Sequence, residues 1–228
     1  KKAEKMGHKL NKVCLAGGVF ANVKANQRIH EIPGVENIFV YPAMGDDGLS
    51  GGAALLAYYN QPEVKDKKSS EIKDINKGLE FSNDEIKIAL EKANIQFEYF
   101  EDVEKQIATI LNEGKVVGRF NGRMEYGPRS LGNRSIIGSP FDPSINNWLN
   151  KKLKRTEFMP FAPSINVEHA GTYFENYSNE HIAAEFMTVT YNVKEEMKEK
   201  IPAVVHIDGT ARPQVVKADI NPSYHRII

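Results

Sequence analysis

The chain alternates short apolar runs with glycine- and proline-marked breaks, and the spacing of those runs predicts its elements. Residues 12–16 (KVCLA) form an apolar run that predicts a short buried strand, with Cys14 as a buried, inert thiol. Gly17 and Gly18 end it. Val19, Val23 and Ile29, with the alanines between them, then predict a helix. IFVY (38–41) predicts a second buried strand, and the loop PAMGDDG leads into a small-residue helix, GLSGGAALLAYYN. Strand, helix, strand, helix without a hairpin signal predicts a parallel sheet. About sixty residues is short for a complete domain, so this unit reads as part of one.

Residues 61–81 are polar and lysine-rich, with little periodicity, and read as a solvated connection. A second unit begins at Ser82, which forms an S-x-x-E capping box with Glu85. Ile86, Ala89, Leu90 and Ala93 give the i, i+3, i+4, i+7 stripe of an amphipathic helix. QFEYF (96–100) predicts a strand, and Val103, Ile107, Ile110 and Leu111 predict a helix closed by Gly114. KVVGRF and SIIG predict strands on either side of an arginine-bearing loop. Asp142 and Pro143 mark a helix start, with SINNWLNKKLKR behind them and Trp148 and Leu149 as its packing residues. PFAPS (160–164) is a stiff turn, and FMTVTY (186–191), AVVHID (203–208) and RPQVV predict further strands. The result is mixed α/β without an internal repeat.

Composition narrows the class. A chain of 228 residues suits one large domain or two ordinary ones. Its 30 basic and 30 acidic residues cancel, so no global charge argues for nucleic acid or membrane binding. The single cysteine excludes an intrachain disulfide and a cysteine-based zinc cluster. No apolar stretch approaches membrane-spanning length, and the charged first residues hold no signal-peptide core, so a cytoplasmic location is expected. The chain opens in what reads as a helix tail and stops at RII, in what reads as a strand, which suggests a piece of a longer protein.

Five motifs could carry chemistry. In AGGVFAN a Gly-Gly turn after a strand would let a helix N-terminus face a nucleotide, though such turns are commonly plain turns. In GDDG a carboxylate in a glycine-flanked loop could bind a hard metal, or simply cap the next helix. In tandem on consecutive β–α units, the two suit the nucleotide cleft of an actin-like or sugar-kinase-like ATPase. The third motif, residues 115–139, carries Arg123, Arg129 and Arg134 spaced by Gly122, Gly127, Gly132 and Pro128. Guanidinium forks suit phosphate and carboxylate oxygens, and glycines admit a close backbone approach. A surface loop pairing its arginines with Glu125 and other carboxylates would have the same composition. The fourth is LKRTEFMPFAPS, whose Lys154 and Arg155 could also serve a helix dipole. The fifth, HIDGTARPQ, gathers His206, Asp208, Thr210 and Arg212. There His206 and Asp208 would alternate onto one face of a strand as catalytic candidates.

The order LAGGVFANVKANQRI, PAMGDDGLSGGAAL, GKVVGRFNGRMEYGPRSLGNRSII, PFAPS, HIDGTARPQVV resembles the O-carbamoyltransferases of the nodulation-protein and aminoglycoside-biosynthesis type, over nearly the whole chain. The arginine loop and HIDGTARPQ are the specific parts; the Gly-Gly motif is generic. The resemblance implies an α/β fold in which residues 1–62 are the C-terminal part of an actin-like ATPase domain. Residues 63–81 would be a linker, and residues 82–228 a mixed α/β YrdC-like domain cut short at its end. It implies two half-reactions: carbamoyl phosphate and ATP form carbamoyl adenylate in the YrdC-like domain, and the carbamoyl group then passes to a small-molecule hydroxyl in the actin-like domain.

Carried onto this chain, the resemblance implies that Arg123, Arg129 and Arg134 line the pocket for carbamoyl phosphate and the ATP phosphates. Asn133 and Ser135 would add hydrogen bonds, Lys154 and Arg155 more positive charge, and Thr210 and Arg212 would close the far side. Gly17, Gly18 and Asn22 would touch the nucleotide of the actin-like domain, and Asp46, rather than Asp47, would ligate a divalent metal, iron or magnesium. Two departures stand out. The family's metal also needs a histidine pair, whereas His8, His30, His169, His181, His206 and His225 are scattered here. Met159 precedes PFAPS where many relatives have arginine. The chain is therefore expected to hold a partial site and not to complete the transfer. Homo-oligomerisation is left open. A threonylcarbamoyl-adenylate type tRNA-modification enzyme would share both folds but calls for a basic RNA-binding face, which balanced charge does not provide. A non-catalytic nucleotide-binding module is the third reading.

Overall fold

A computed structural model describes residues 5–7, 11–64, 72–155 and 160–228. His8, the lysine-rich stretch 65–71 and Met159 lie outside them. Strands β1 (Lys12–Leu15) and β2 (Asn37–Val40) form at the two apolar runs and pair in parallel, with Val13 opposite Ile38 and Leu15 opposite Val40. Burial alternates along both strands, and Cys14 falls on the open face, so the thiol is exposed rather than buried. Residues 18–21 wind into a 3-10 turn, and helix α1 (Val23–His30) starts later than its apolar spacing suggests, capped by the Asn22 side chain on the Ala25 N–H (3.0 Å).

Helix α1 also packs differently from its pattern. Val19 is 71% exposed, while Asn26 and Gln27 are buried. Asn26 Nδ2 donates to the carbonyls of Phe20 (2.7 Å) and Thr188 (2.8 Å), and Gln27 Oε1 accepts from Thr190 Oγ1 (2.8 Å). These bonds of the buried amides tie the first unit to the second. Helix α2 (Leu49–Tyr59) buries none of its residues among those described.

Residues 72–79 do not behave as a solvated connection. Ile75 is buried, Asn76 bridges Glu125, and the Gly78 N–H donates to Met124 O (2.9 Å). Helix α3 (Asn83–Lys92) carries the expected capping box. Its Ile86 and Leu90 are only half-buried, and QFEYF is exposed and outside any ladder. Helix α4 (Val103–Asn112) leads into β3 (Val117–Phe120), which pairs antiparallel with β4 (Arg134–Ile137). Helix α5 (Ser144–Lys152) buries Leu149, whereas Trp148 is 51% exposed beneath Lys152.

Strand β5 (Ser164–Asn166) runs into helix α6 (Val167–Tyr173). FMTVTY is buried throughout, yet only its last residue joins a strand, β6 (Tyr191–Asn192). After α7 (Glu195–Lys198), AVVHID forms a 3-10 turn and then a reverse turn closed by the Gly209 N–H on His206 O (2.9 Å), so it is not a strand. Strand β7 (Thr210–Ala211) pairs antiparallel with β6, and β8 (Gln214–Val216) pairs in parallel with β5. The chain ends in helix α8 (Pro222–Ile227), where a strand was expected. The largest apolar cluster joins Ile38, Val40 and Met44 to Phe174, Val189, Tyr191 and Val215, so one core is shared by the first unit and the last third of the chain.

Candidate functional site: an arginine-lined cavity

The loop between β3 and β4 is built from its own side chains. The Leu131 and Asn133 N–H groups donate to Glu125 Oε1 (2.7 and 2.8 Å), the Arg134 N–H reaches both Glu125 oxygens (3.2 Å each), and the Gly132 N–H donates to Ser135 Oγ (2.8 Å). The carbonyls are taken too. Arg134 spreads its terminal nitrogens over the carbonyls of Leu79, Asn121, Gly122 and Asn133, with its guanidinium 3.6 Å from the centre of the Phe120 ring. Asn133 Nδ2 donates to Arg123 O (2.9 Å) and its Oδ1 accepts from Asn221 Nδ2 (3.0 Å). From outside, Gln214 Nε2 holds Leu131 O (2.7 Å) and Arg119 Nε holds Gly132 O (2.7 Å).

Two glycines let this loop sit where it does. At Gly127 (φ 114°) a Cβ would lie 3.0 Å from Pro42 O, and at Gly132 (φ 108°) it would lie 2.5 Å from the Tyr224 ring. Only glycine combines positive φ with such an approach.

The loop borders a cavity of about 750 Å³ between β4, α5, the PFAPS turn, β5 and the stretch from Ile201 to Gln214. Arg129, Arg155 and Arg212 line it, each half-buried, with Ser135, Asn166, His169 and Gln214; Arg134 borders it as well. Leu111, Ile145, Leu149, Leu153 and Val204 make an apolar side. Among the described lining residues there is no aspartate or glutamate. Guanidinium groups gathered in a partly enclosed space attract anions more strongly than they would in water. The volume is that of an ordinary small-molecule site. Arg155 packs over the Phe161 ring (4.7 Å), and Arg129 Nη2 also donates to Ala21 O (3.3 Å), in the turn after Gly17 and Gly18.

The other residues singled out in the sequence fall elsewhere. Arg123 is exposed and pairs with Glu80 (3.2 Å). Lys154 is exposed, at positive φ just past α5. Asn133 faces the loop interior. Thr210 is buried: its hydroxyl donates to Asp208 Oδ1 (2.7 Å) and lies 3.3 Å from His206 Nδ1. Asp208 Oδ2 pairs with Lys24 of α1 (2.8 Å). Burial pushes the Asp208 carboxyl up, but the bonds from Lys24 and Thr210 outweigh it and hold it well below the usual carboxylate range. Burial lowers His206, and Arg212 and Lys24 add to that against the opposing pull of Asp208. The HIDGTAR turn thus presents Arg212 to the cavity and anchors itself to α1 through Asp208.

Gly17 (φ 118°) and Gly18 face open space, and Asn22 is occupied as a helix cap. Asp46 is exposed in a short 3-10 turn, Asp46–Gly48. Among the described residues no group of three or more His, Cys, Asp or Glu side chains converges, there or elsewhere, so these residues do not by themselves fit a metal. The histidines are less scattered than the sequence suggests: the rings of His30 and His181 meet edge-on, 4.5 Å between centroids, beside Tyr191. No helix among the described residues is long and apolar enough to cross a membrane.

Sequence reasoning missed Glu125, Arg119 and Gln214 as builders of the site. Glu125 was visible only as a counter-charge, and the other two stand in strands with no local signal of a distant loop.

Comparison with known proteins bears on this arrangement. The family model described as the carbamoyltransferase C-terminus matches residues 108–228, and the carbamoyltransferase N-terminus model matches residues 2–55. An uncharacterised protein of Methanocaldococcus jannaschii is 36% identical over 96% of this chain and 36% of its own length. Nodulation protein NolNO of Sinorhizobium fredii is 32% identical over 96% of this chain and 32% of its own. The 3'-hydroxymethylcephem-O-carbamoyltransferase of Streptomyces clavuligerus is 29% identical over 94% of this chain and 38% of its own. The chain thus spans about a third to two-fifths of the length of these relatives. With the C-terminal model covering the arginine loop, the cavity and more than half of the residues, the chain belongs to the carbamoyltransferase family.

Proposed function

We propose that this chain works within an ATP-dependent O-carbamoyltransferase and that its arginine-lined cavity takes carbamoyl phosphate and ATP. The observation that carries the reading is the convergence of Arg129, Arg155 and Arg212 on one cavity. Bringing two anions together needs several fixed cations to offset their repulsion. Arg129 from the β3–β4 loop and Arg212 from the turn before β8 would clamp the phosphates, Arg155 would add charge from the end of α5, and the apolar side would take the base. Carbamoyl phosphate would lose inorganic phosphate to water, and the resulting carbamate oxygen would displace pyrophosphate from the ATP α-phosphorus to give carbamoyl adenylate. A small-molecule hydroxyl near the first unit, which Arg129 touches at Ala21 O, would then attack the carbamoyl carbon, with AMP leaving and the hydroxyl proton passing to solvent. In this reading residues 1–62 belong to an actin-like domain, 82–228 to a YrdC-like one, and the divalent metal and hydroxyl acceptor are held largely by parts of the enzyme beyond the described residues.

Calorimetric titration with carbamoyl phosphate, with and without an ATP analogue and magnesium, tests this. Saturable binding is expected. Arg129→Ala should weaken it roughly 10- to 100-fold, the worth of a charge-assisted hydrogen bond or two. Asp46→Asn should leave it unchanged. Absence of binding in the unmodified protein overturns the reading.

A further inference from the structure

The function above leaves Glu125 unused, although it is the sole carboxylate in the loop sequence and is only 7% exposed. A counter-ion for the arginines would sit against a guanidinium. Glu125 does something else: every hydrogen bond described for its carboxylate comes from backbone, from the N–H groups of Leu131, Asn133 and Arg134. These bonds fasten residues 131–134 back onto residue 125 and close the base of the excursion 126–130, which carries Arg129. The same residue is pinned from behind by its bridge to Asn76. A side chain is held at a fixed place only if the backbone that carries it is itself fastened, and a carboxylate in a nest of N–H groups fastens a loop in that way.

We propose that Glu125 is the positioning residue for Arg129. It fixes the arginine-bearing excursion through the backbone N–H groups of residues 131–134. The proposal rests on the reading of the cavity as a carbamoyl phosphate site, but its mechanical half does not.

Two measurements test it. The first is amide exchange in the unliganded protein, comparing Glu125→Gln with wild type. Glutamine keeps one carbonyl oxygen but turns N–H donors toward donors. Faster exchange confined to residues 126–134, with other amides unchanged, is expected; unchanged exchange there, or acceleration throughout the chain, overturns the proposal. The second is a double-mutant cycle for carbamoyl phosphate binding with Glu125→Gln, Arg129→Ala and both together. Glu125→Gln alone should weaken binding by up to about 100-fold, the cost of shifting a group by roughly an ångström. In the Arg129→Ala background it should cost almost nothing, because it acts through Arg129. Additive losses overturn the proposal. If wild type fails to bind carbamoyl phosphate, the proposed function falls and the exchange measurement alone decides the role of Glu125.

Discussion

Two stretches of this chain look alike in sequence and differ in structure. AGGVFAN and the arginine loop each follow a short apolar strand, and each mixes glycine with hydrogen-bonding side chains. In the first, a Cβ at Gly17 or Gly18 would meet nothing within 4 Å, and the asparagine is spent on a helix cap. In the second, Gly127 and Gly132 press against Pro42 and Tyr224, and side chains take the N–H groups of all four residues from Leu131 to Arg134. Glycine marks both a plain turn and a built one. What separates them is whether distant residues (here Tyr224, Gln214 and Arg119) close around the loop.

Substitutions can break that comparison, and the largest effect should come from Gly132→Ala. Its methyl group would collide with the Tyr224 ring at a positive φ, a loss on the order of 3 kcal/mol by urea unfolding. Gly18→Ala, in the open loop, should change stability by less than about 0.5 kcal/mol. Comparable losses at both glycines would dissolve the distinction.

Acid should next loosen the contact between the first unit and the rest. Burial, with His30 adjacent, lowers the pKa of His181 to about 4. The unfolded chain, with an ordinary histidine near pH 6.5, then binds more protons than the folded one between pH 6.5 and 4. Stability is therefore present above pH 6.5 and falls as pH drops through that window, by up to about 3 kcal/mol. His181→Gln should flatten the decline in unfolding midpoints measured across it. Smallest is Arg123→Ala: its pair with Glu80 is exposed on both sides, so its loss should cost under about 0.5 kcal/mol and leave carbamoyl phosphate titration unchanged. A large effect on binding would bring Arg123 into the site.

Much of the fold was legible because it is written locally. The capping box at Ser82 and Glu85, the Gly114 stop and the parallel β1–β2 pair follow from adjacent residues. FMTVTY and AVVHID were not, because an apolar run reports burial and not pairing. The first threads the core with Thr188 bonded to Ala183 O and Thr190 to Gln27, in place of a ladder. QFEYF alternates like a strand but finds no neighbour among the described residues. Of the site, arginine and glycine content pointed to the loop, but which arginine faces the cavity depends on contacts far along the chain. Arg134 and Arg129 are chemically identical; one holds four carbonyls together and the other is presented at the cavity wall.

Helix α8 gives this dependence a practical edge. Tyr224 lies under Gly132, Asn221 holds Asn133, and Ser223 accepts from Arg119. A cut after residue 217 would leave every strand and every cavity arginine in the polypeptide and still take away the floor on which the loop rests. Residues 218–228 thus matter to the loop although no arginine of the cavity is found among them.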